Sequence, residues 1–172
     1  MKYYKHSKTG EVFAYETKVD RDKWGAPELV KMTAEEIDAH LNPVPSLDTL
    51  AASKRGDIET ARHTAEAEGI THNAIRYAGD PGNRQAIREA LEAATDTGLE
   101  TFSSWKDSNN QFHSDHPVPD VWAALSAIAT RRSQLIEREG QLVGQIDAIL
   151  ADEQLSDDEK REALEAIEWS ET

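Results

Sequence analysis

The chain has 172 residues, of which 30% are charged and 38% hydrophobic, and 33 acidic against 19 basic side chains give it a net charge of -14. This charge repels nucleic-acid phosphates and anionic membranes, so we expect neither as a partner. The chain has no cysteine, which excludes disulfides, thiolate metal sites and cysteine nucleophiles. No apolar run approaches the ~20 residues of a membrane span, and the first residues lack a signal-peptide core, so we expect the chain to stay in the cytoplasm while it assembles.

Residues 1–45 are predicted to form a small N-terminal unit. A turn signal between two strand-forming segments predicts a β-hairpin over residues 2–16. Residues 20–29 are predicted as a loop. Thr33 and Glu36 have the spacing of a capping box, which predicts a short helix after them. Because a two-stranded hairpin is only marginally stable in water, its aromatic face must pack on something.

Aromatic residues are denser in this unit than elsewhere in a chain that is only 6% aromatic. Aromatic side chains bury a large area at low entropic cost and are favoured at binding surfaces. A small local core is the alternative interpretation. Since the segment has few aliphatic residues with which to build a core, we favour a docking surface. Its predicted members are Tyr3, Tyr4, Phe13, Tyr15 and Trp24.

Residues 46–150 are predicted to form a helical unit with two short hairpins. A first helix with sparse apolar residues is expected to stop at Gly69. Hairpins are predicted over residues 70–77 and 102–113, on either side of a helix that starts at the N-cap Asp80. Together with the N-terminal unit, these elements predict an α+β fold that is mostly α.

A continuous helix over residues 120–150 is the longest predicted element. One face carries an apolar row formed by Val121, Leu125, Ile128, Leu135, Leu142, Ile146 and Ile149. Arg132 and Glu139 interrupt this row where a 3.5-residue seam expects apolar side chains. A second row lies beside the first and consists of Trp122, Ala129, Ile136, Val143 and Leu150. Residues 151–172 are predicted to add a C-terminal capping helix that ends near Trp169.

Few residue patterns in the chain carry catalytic or metal-binding chemistry. Residues 113–116 hold two imidazoles and a carboxylate, which can bind a transition metal, but a loop lacks the helical geometry of known zinc motifs. Residues 107–111 resemble a calcium loop without its glycine and distal glutamate, and we interpret them as a hairpin turn. Glu66 and Glu68 are interpreted as a solvated helix face. With no nucleophile elbow or phosphate loop, we predict a protein that is not an enzyme and needs no metal or cofactor.

Four motifs carry a resemblance to a known family: ITHNAIRY at 70–77, DPGNR at 80–84, WKDSNNQF at 105–112 and EREGQLVGQID at 137–147. With these motifs, residues 47–150 resemble an uncharacterised domain that recurs in tail and tail-fibre-associated proteins of tailed bacteriophages. The opening of the chain, to about Glu36, looks like the start of phage tail-fibre assembly proteins. The family usually has a glycine in the first hairpin turn, where this chain has Ala74, and the turn type is left open.

The resemblance implies a bacteriophage tail protein that is a structural component or an assembly factor of the tail fibre or baseplate. Its location would be the virion tail, or the host cytoplasm during assembly. Its partners would be other phage tail or fibre proteins, together with copies of itself in a homo-oligomer. The alternative is an acidic phage-encoded inhibitor or adaptor that binds a host protein by charge mimicry. Acidic residues that are spread along the chain and mixed with basic ones favour the tail protein.

Two interpretations of the long helix remain open at the level of sequence. Its broad apolar stripe is typical of an ordinary core helix, but one row could instead pack inside the chain while the other meets a partner as in a coiled coil. We expect the Trp122 row to face the hairpin that contains Trp105, and the Val121 row to meet the partner. Arg132 and Glu139 would then select the register of that contact.

Overall fold

The computed structural model describes residues 1–25 and 27–171, without the side chain of Trp24. The chain divides into two compact units, Met1–Ser46 and Leu47–Thr172. The first contains a small sheet and short helices, and the second is mainly helical with two hairpins. The predicted α+β fold with a predominance of helix is confirmed.

The first unit is built around a three-stranded antiparallel sheet. Its elements are β1 (Lys2–His6), β2 (Val12–Tyr15), α1 (Lys18–Trp24), β3 (Leu29–Lys31) and α2 (Ala34–Leu41). The strand order is β2-β1-β3, so β1 is paired along both edges. The predicted hairpin is β1 and β2, and the predicted capping box of Thr33 and Glu36 starts α2.

The prediction of a loop over residues 20–29 was wrong at both ends, where α1 extends to Trp24 and β3 begins at Leu29, while residues 25, 27 and 28 lie outside helix and strand as predicted. Thr17 and Asp20 form a reciprocal capping box that starts α1, and this motif has the same spacing as the one that predicted α2. Strand β3 is three residues long and is fixed by its pairing with β1. A pattern of alternating hydrophobicity cannot be recognised in so short a segment, so its tertiary pairing is what makes it a strand.

The second unit consists of four helices and two hairpins. Its elements are α3 (Leu47–Glu68), β4 (Ile70–His72), β5 (Ile75–Tyr77), α4 (Pro81–Thr97), β6 (Thr101–Lys106), β7 (Phe112–Pro117), α5 (Val118–Ala151) and α6 (Asp157–Glu165). Both hairpins are antiparallel. Asp80 caps α4 with proline at the first helical position, and Gly98 ends it with a φ of 67°.

Two glycines let the end of α3 approach the end of the first hairpin. A β-carbon on Gly69 would lie 1.9 Å from the carbonyl oxygen of Tyr77, and one on Gly79 would lie 2.1 Å from that of Glu66. Gly69 also has a φ of +68°, in the left-handed region that glycine tolerates best. Only glycine therefore fits at either position without moving the backbone, and this approach places Glu66 beside the start of α4.

Helix α5 is unbroken over its 34 residues. At ~1.5 Å per residue it is about 50 Å long. Gly140 and Gly144, where a break was considered, lie on exposed positions within regular helix, and a β-carbon at either would meet nothing within 4 Å. No helix in the described part of the chain is both long and apolar enough to span a membrane.

Helix α5 takes part in two separate hydrophobic cores. The first lies against α4 and the hairpins and includes Tyr77, Leu91, Val121, Ala124 and Ile128. The second lies against α3 and α6 and includes Ala51, Ile58, Leu142, Ile146 and Leu164. The C-terminal segment that we expected at residues 151–172 thus contributes to the second core, and its helix ends at Glu165 instead of near Trp169.

Candidate protein interface

The apolar row of α5 that we expected to meet a partner is buried within the chain itself. Its fully buried members are Val121, Ile128, Leu135, Leu142 and Ile146. Leu125 and Ile149 are half-buried against the two cores. Helices α3, α4 and α6 cover this face, since members of the row belong to both hydrophobic cores. The assignment to a partner was therefore wrong for the five fully buried residues, and it remains a prediction for the others.

The first part of the neighbouring row of α5, from Trp122 to Ile136, faces outward instead, whereas Leu150 at its end packs against the second core. Trp122 is 46% exposed and Ile136 is 39% exposed, and both are among the large apolar residues left on the surface. We expected this row to pack on the hairpin that contains Trp105, but that ring packs with Phe102, Tyr77 and His116. Both rows are apolar and lie side by side on one helix, so periodicity alone could not say which one faces the core.

The two charges that interrupt the buried row are satisfied inside the chain. The Nε of Arg132 lies 3.2 Å from an Oε of Glu66 on α3, and an Oε of Glu139 lies 2.6 Å from the Nε of Arg62. Their expected role in the register of an intermolecular seam is therefore replaced by pairing with α3. Arg62 and Glu66 of α3 contact these two charged residues at the level between the two hydrophobic cores.

Glu66 is the centre of this ionic cluster. Its side chain is 5% exposed and contacts the guanidinium groups of Arg62, Arg84 and Arg132. The Arg84 contact is 3.5 Å, and the same Arg84 nitrogen also donates to the carbonyl of Gly79. One carboxylate thus holds three arginines from three helices, and the prediction that Glu66 lies on a solvated face was wrong.

An open groove of about 450 Å³ lies between α4 and α5 beside this cluster. Helix α4 contributes Arg84, Arg88 and Glu92, and α5 contributes Trp122, Leu125, Ser126, Ala129 and Arg132. We call it the arginine groove. Its apolar atoms come from Trp122 and Ala129 of the outward row and from Leu125 of the Val121 row, and its charged atoms come from three arginines against one glutamate. This surface combines tryptophan and arginine side chains, two residue types that are enriched at protein interfaces.

The predicted N-terminal docking residues are packed together in part. The ring of Tyr4 is buried, lies 5.9 Å from that of Tyr15, and is covered by the guanidinium of Arg21 at 5.2 Å. Tyr3 packs edge-on against His40. For Tyr4 the local core is therefore the correct interpretation. Docking through the half-buried Tyr3, Phe13 and Tyr15 remains a prediction, and the side chain of Trp24 lies outside the described residues.

The two histidines considered as metal ligands have partners within the chain. The Nε2 of His116 lies 2.6 Å from the hydroxyl of Tyr77 in a buried contact, and the Nε2 of His113 lies 3.0 Å from a carboxylate oxygen of Asp107. Burial lowers the pKa of His116, and burial together with Asp120 and Asp107 raises the pKa of Tyr77 to about 12. Across the described residues, no three histidine, aspartate or glutamate side chains are arranged to hold a metal ion.

The turn at residues 107–111 connects β6 and β7, as the interpretation of a hairpin predicted. One carboxylate oxygen of Asp107 accepts the backbone N–H of Asn109 at 2.8 Å and that of Gln111 at 2.9 Å. The hydrogen bond from His113 and these backbone donors lower the pKa of Asp107. Its carboxylate therefore closes the turn.

Sequence reasoning missed the arginine groove. Arg84 and Arg88 are separated by four residues, which places them on one face of α4, and this signal could have suggested a basic stripe. The sequence could not predict that these two arginines lie near Trp122, because that proximity depends on how α4 packs against α5.

The comparisons with known proteins concern the second unit. A domain of unknown function (DUF4376) matches residues 49–168, from the first turn of α3 to beyond α6. Neither the curated proteins nor the solved structures contain a match to the chain. Because the matched region covers most of the chain, including the ionic cluster and the arginine groove, the chain belongs to the DUF4376 family.

Proposed function

We propose that this chain is a non-enzymatic component or assembly factor of a bacteriophage tail fibre or baseplate, and that it acts through protein–protein contacts. The observation that carries the proposal is the arginine groove, where Trp122 is 46% exposed beside three arginines on an otherwise acidic chain. Exposed tryptophan and arginine are the side chains that most often dominate binding at protein interfaces.

The resemblance to phage tail domains supports the same function. Its motifs lie on the first hairpin, at the start of α4, on the second hairpin and in the second half of α5. The motif at residues 80–84 ends with Arg84, which belongs to both the ionic cluster and the groove. The resembling segment thus includes part of the proposed contact surface.

The proposal is tested by deleting the gene from the phage or prophage genome that encodes the chain. We expect particles with missing or incomplete tail fibres in electron micrographs, and recovery of normal particles when a plasmid supplies the wild-type chain. Mass spectrometry of the purified particles then distinguishes a virion component, which is present in them, from an assembly factor, which is absent.

A plasmid that carries the same gene with an early stop codon is the matched control for the recovery. Particles with complete tails and unchanged infectivity after the deletion would contradict the proposal, because a tail component or assembly factor must leave a defect when it is lost. Release of particles would have to be quantified in the same cultures, so that a lysis defect is not read as a tail defect.

A further inference from the structure

We infer that the arginine groove binds an acidic amphipathic helix of a partner protein. The inference rests on the proposed function, because it names the chemistry of a partner that docks on the same surface. It comes from three features of the groove, which are its excess of positive charge, the contacts of Glu66 with two of its arginines and its apolar side chains.

The charge of the groove is opposite to that of the chain. Arg84, Arg88 and Arg132 line it together with a single acid, Glu92, although the whole chain carries -14. Arg88 is exposed and forms no ion pair with any described residue, while Arg132 remains 45% exposed in its side chain. A local excess of arginine attracts carboxylates and repels basic segments, so it selects an acidic partner.

The buried Glu66 supports two of these arginines without neutralising them. Its carboxylate is shared with Arg62 as well, so Arg84 and Arg132 each receive only part of one negative charge. The 3.2 Å contact of Arg132 uses its Nε, and the side chain of Arg132 remains 45% exposed. A guanidinium held in this way loses little side-chain entropy when it binds a carboxylate.

The spacing of the residues that line the groove suits a helical partner. Arg84 and Arg88 are one turn apart on α4, with β-carbons separated by about 5–6 Å, which matches carboxylates four residues apart on a partner helix. The apolar residues Trp122, Leu125 and Ala129 line the same groove, and they recur at the 3-4 spacing that receives apolar anchors of an opposing helix. A second copy of the chain is disfavoured because two molecules of charge -14 repel each other.

The inference is tested with two labelled synthetic peptides and the full chain. Both peptides have about 18 residues, or five helical turns, and the same leucines at one face, while the polar face carries glutamates at four-residue spacing in one and lysines in the other. Fluorescence anisotropy should show saturable binding of the glutamate peptide, at least about tenfold tighter than the lysine peptide and weakened by salt.

Two pairs of variants locate the binding. Arg88→Glu should reverse the preference between the peptides, whereas Arg161→Glu on α6, an equal change of charge outside the groove, should leave it unchanged. Trp122→Ala should weaken the glutamate peptide about tenfold or more, whereas Ile136→Ala, on the same helix at similar exposure, should not. Because these four side chains are not fully buried, the variants should keep the wild-type circular dichroism spectrum.

Three outcomes would overturn the inference. They are binding of neither peptide, equal binding of both, and a preference that Arg88→Glu leaves intact. Self-association in sedimentation velocity that Trp122→Ala abolishes would also overturn it, by assigning the groove to a second copy. The phage deletion separates the two proposals: peptide binding with intact particles refutes only the tail function, and defective particles without peptide binding refute only the acidic helix.

Discussion

The contact between His116 and Tyr77 joins the two hairpins and links stability to pH. Burial and the positive charges of His113 and His72 lower the pKa of His116 below its ordinary 6.5, and the charge of Asp120 only partly opposes this. The folded chain thus favours the neutral imidazole, while the unfolded chain takes up a proton more readily. The resulting stability is fully present above pH 6.5 and is lost as pH falls toward the lowered pKa.

Replacing His116 should therefore remove part of the acid sensitivity. His116→Gln keeps a side chain that can hydrogen bond to Tyr77 but does not titrate. We expect the melting temperature of the wild type to fall more steeply than that of the variant as the pH is lowered from 6.5. Above pH 6.5 the melting temperatures of the two proteins should change with pH in the same way. Equal pH dependence below it would show that the imidazole contributes nothing to the acid transition.

Ala74 is the residue at which the first hairpin departs from its preferred chemistry. Its φ is 63° and that of Asn73 is 48°, so both residues are left-handed, as in the type I′ turns that favour glycine at the second position. Because alanine has a penalty there, Ala74→Gly should stabilise the chain by about 0.5–1 kcal/mol in urea unfolding.

Ala93→Gly is the matched control for this substitution. Ala93 is exposed in the interior of α4, where glycine should cost ~1 kcal/mol, so the same chemical change should have the opposite sign at the two positions. If Ala74→Gly also destabilises the chain, the turn is not strained.

At the scale of elements, the sequence predicts helices that carry local start and stop signals. The starts of α2, α4 and α6 follow from Thr33, Asp80 and Ser156, each of which accepts the predicted capping hydrogen bond. Features that depend on contacts between residues distant in the sequence could not be predicted in this way. The strand β3 and the burial of Glu66 depend on which residues meet after packing, and no local pattern records this.

The correction of the two rows of α5 gives a direct prediction. Leu135 is 3% exposed and Ile136, its neighbour in the chain, is 39% exposed. Leu135→Ala should lower the free energy of unfolding by about 2–5 kcal/mol through the lost burial and the cavity. Ile136→Ala should lower it by less, about 1 kcal/mol, because a side chain that is 39% exposed loses less burial and leaves no enclosed cavity. Urea unfolding of the two variants measures the difference.

A larger loss of stability for Ile136→Ala than for Leu135→Ala would support the assignment made from the sequence. If Ile136→Ala were the more destabilising change, the Trp122 row would face the core and the Val121 row would be available to a partner. The comparison needs no binding assay, because the two positions share one helix and differ only in the face that they occupy.

At the scale of the whole molecule, an acidic chain carries a compact basic surface. The proposed tail function and the alternative of an acidic inhibitor make different predictions for this surface, because an inhibitor would use the overall -14 charge to occupy a basic cleft. The inhibitor predicts strong binding to basic nucleic-acid-binding enzymes that disappears at high salt. The tail function predicts instead that contacts depend on Trp122 and Arg88, whichever protein supplies the partner.

The most direct test of the proposed function is complementation of the phage deletion by variants of the groove. We predict that the double variant Arg88→Glu, Trp122→Ala folds but fails to restore complete tails in electron micrographs, because both the charge and the apolar anchor of the groove are lost. The control double variant Arg161→Glu, Ile136→Ala should restore them as the wild type does. Complete tails with the groove variant would contradict the account.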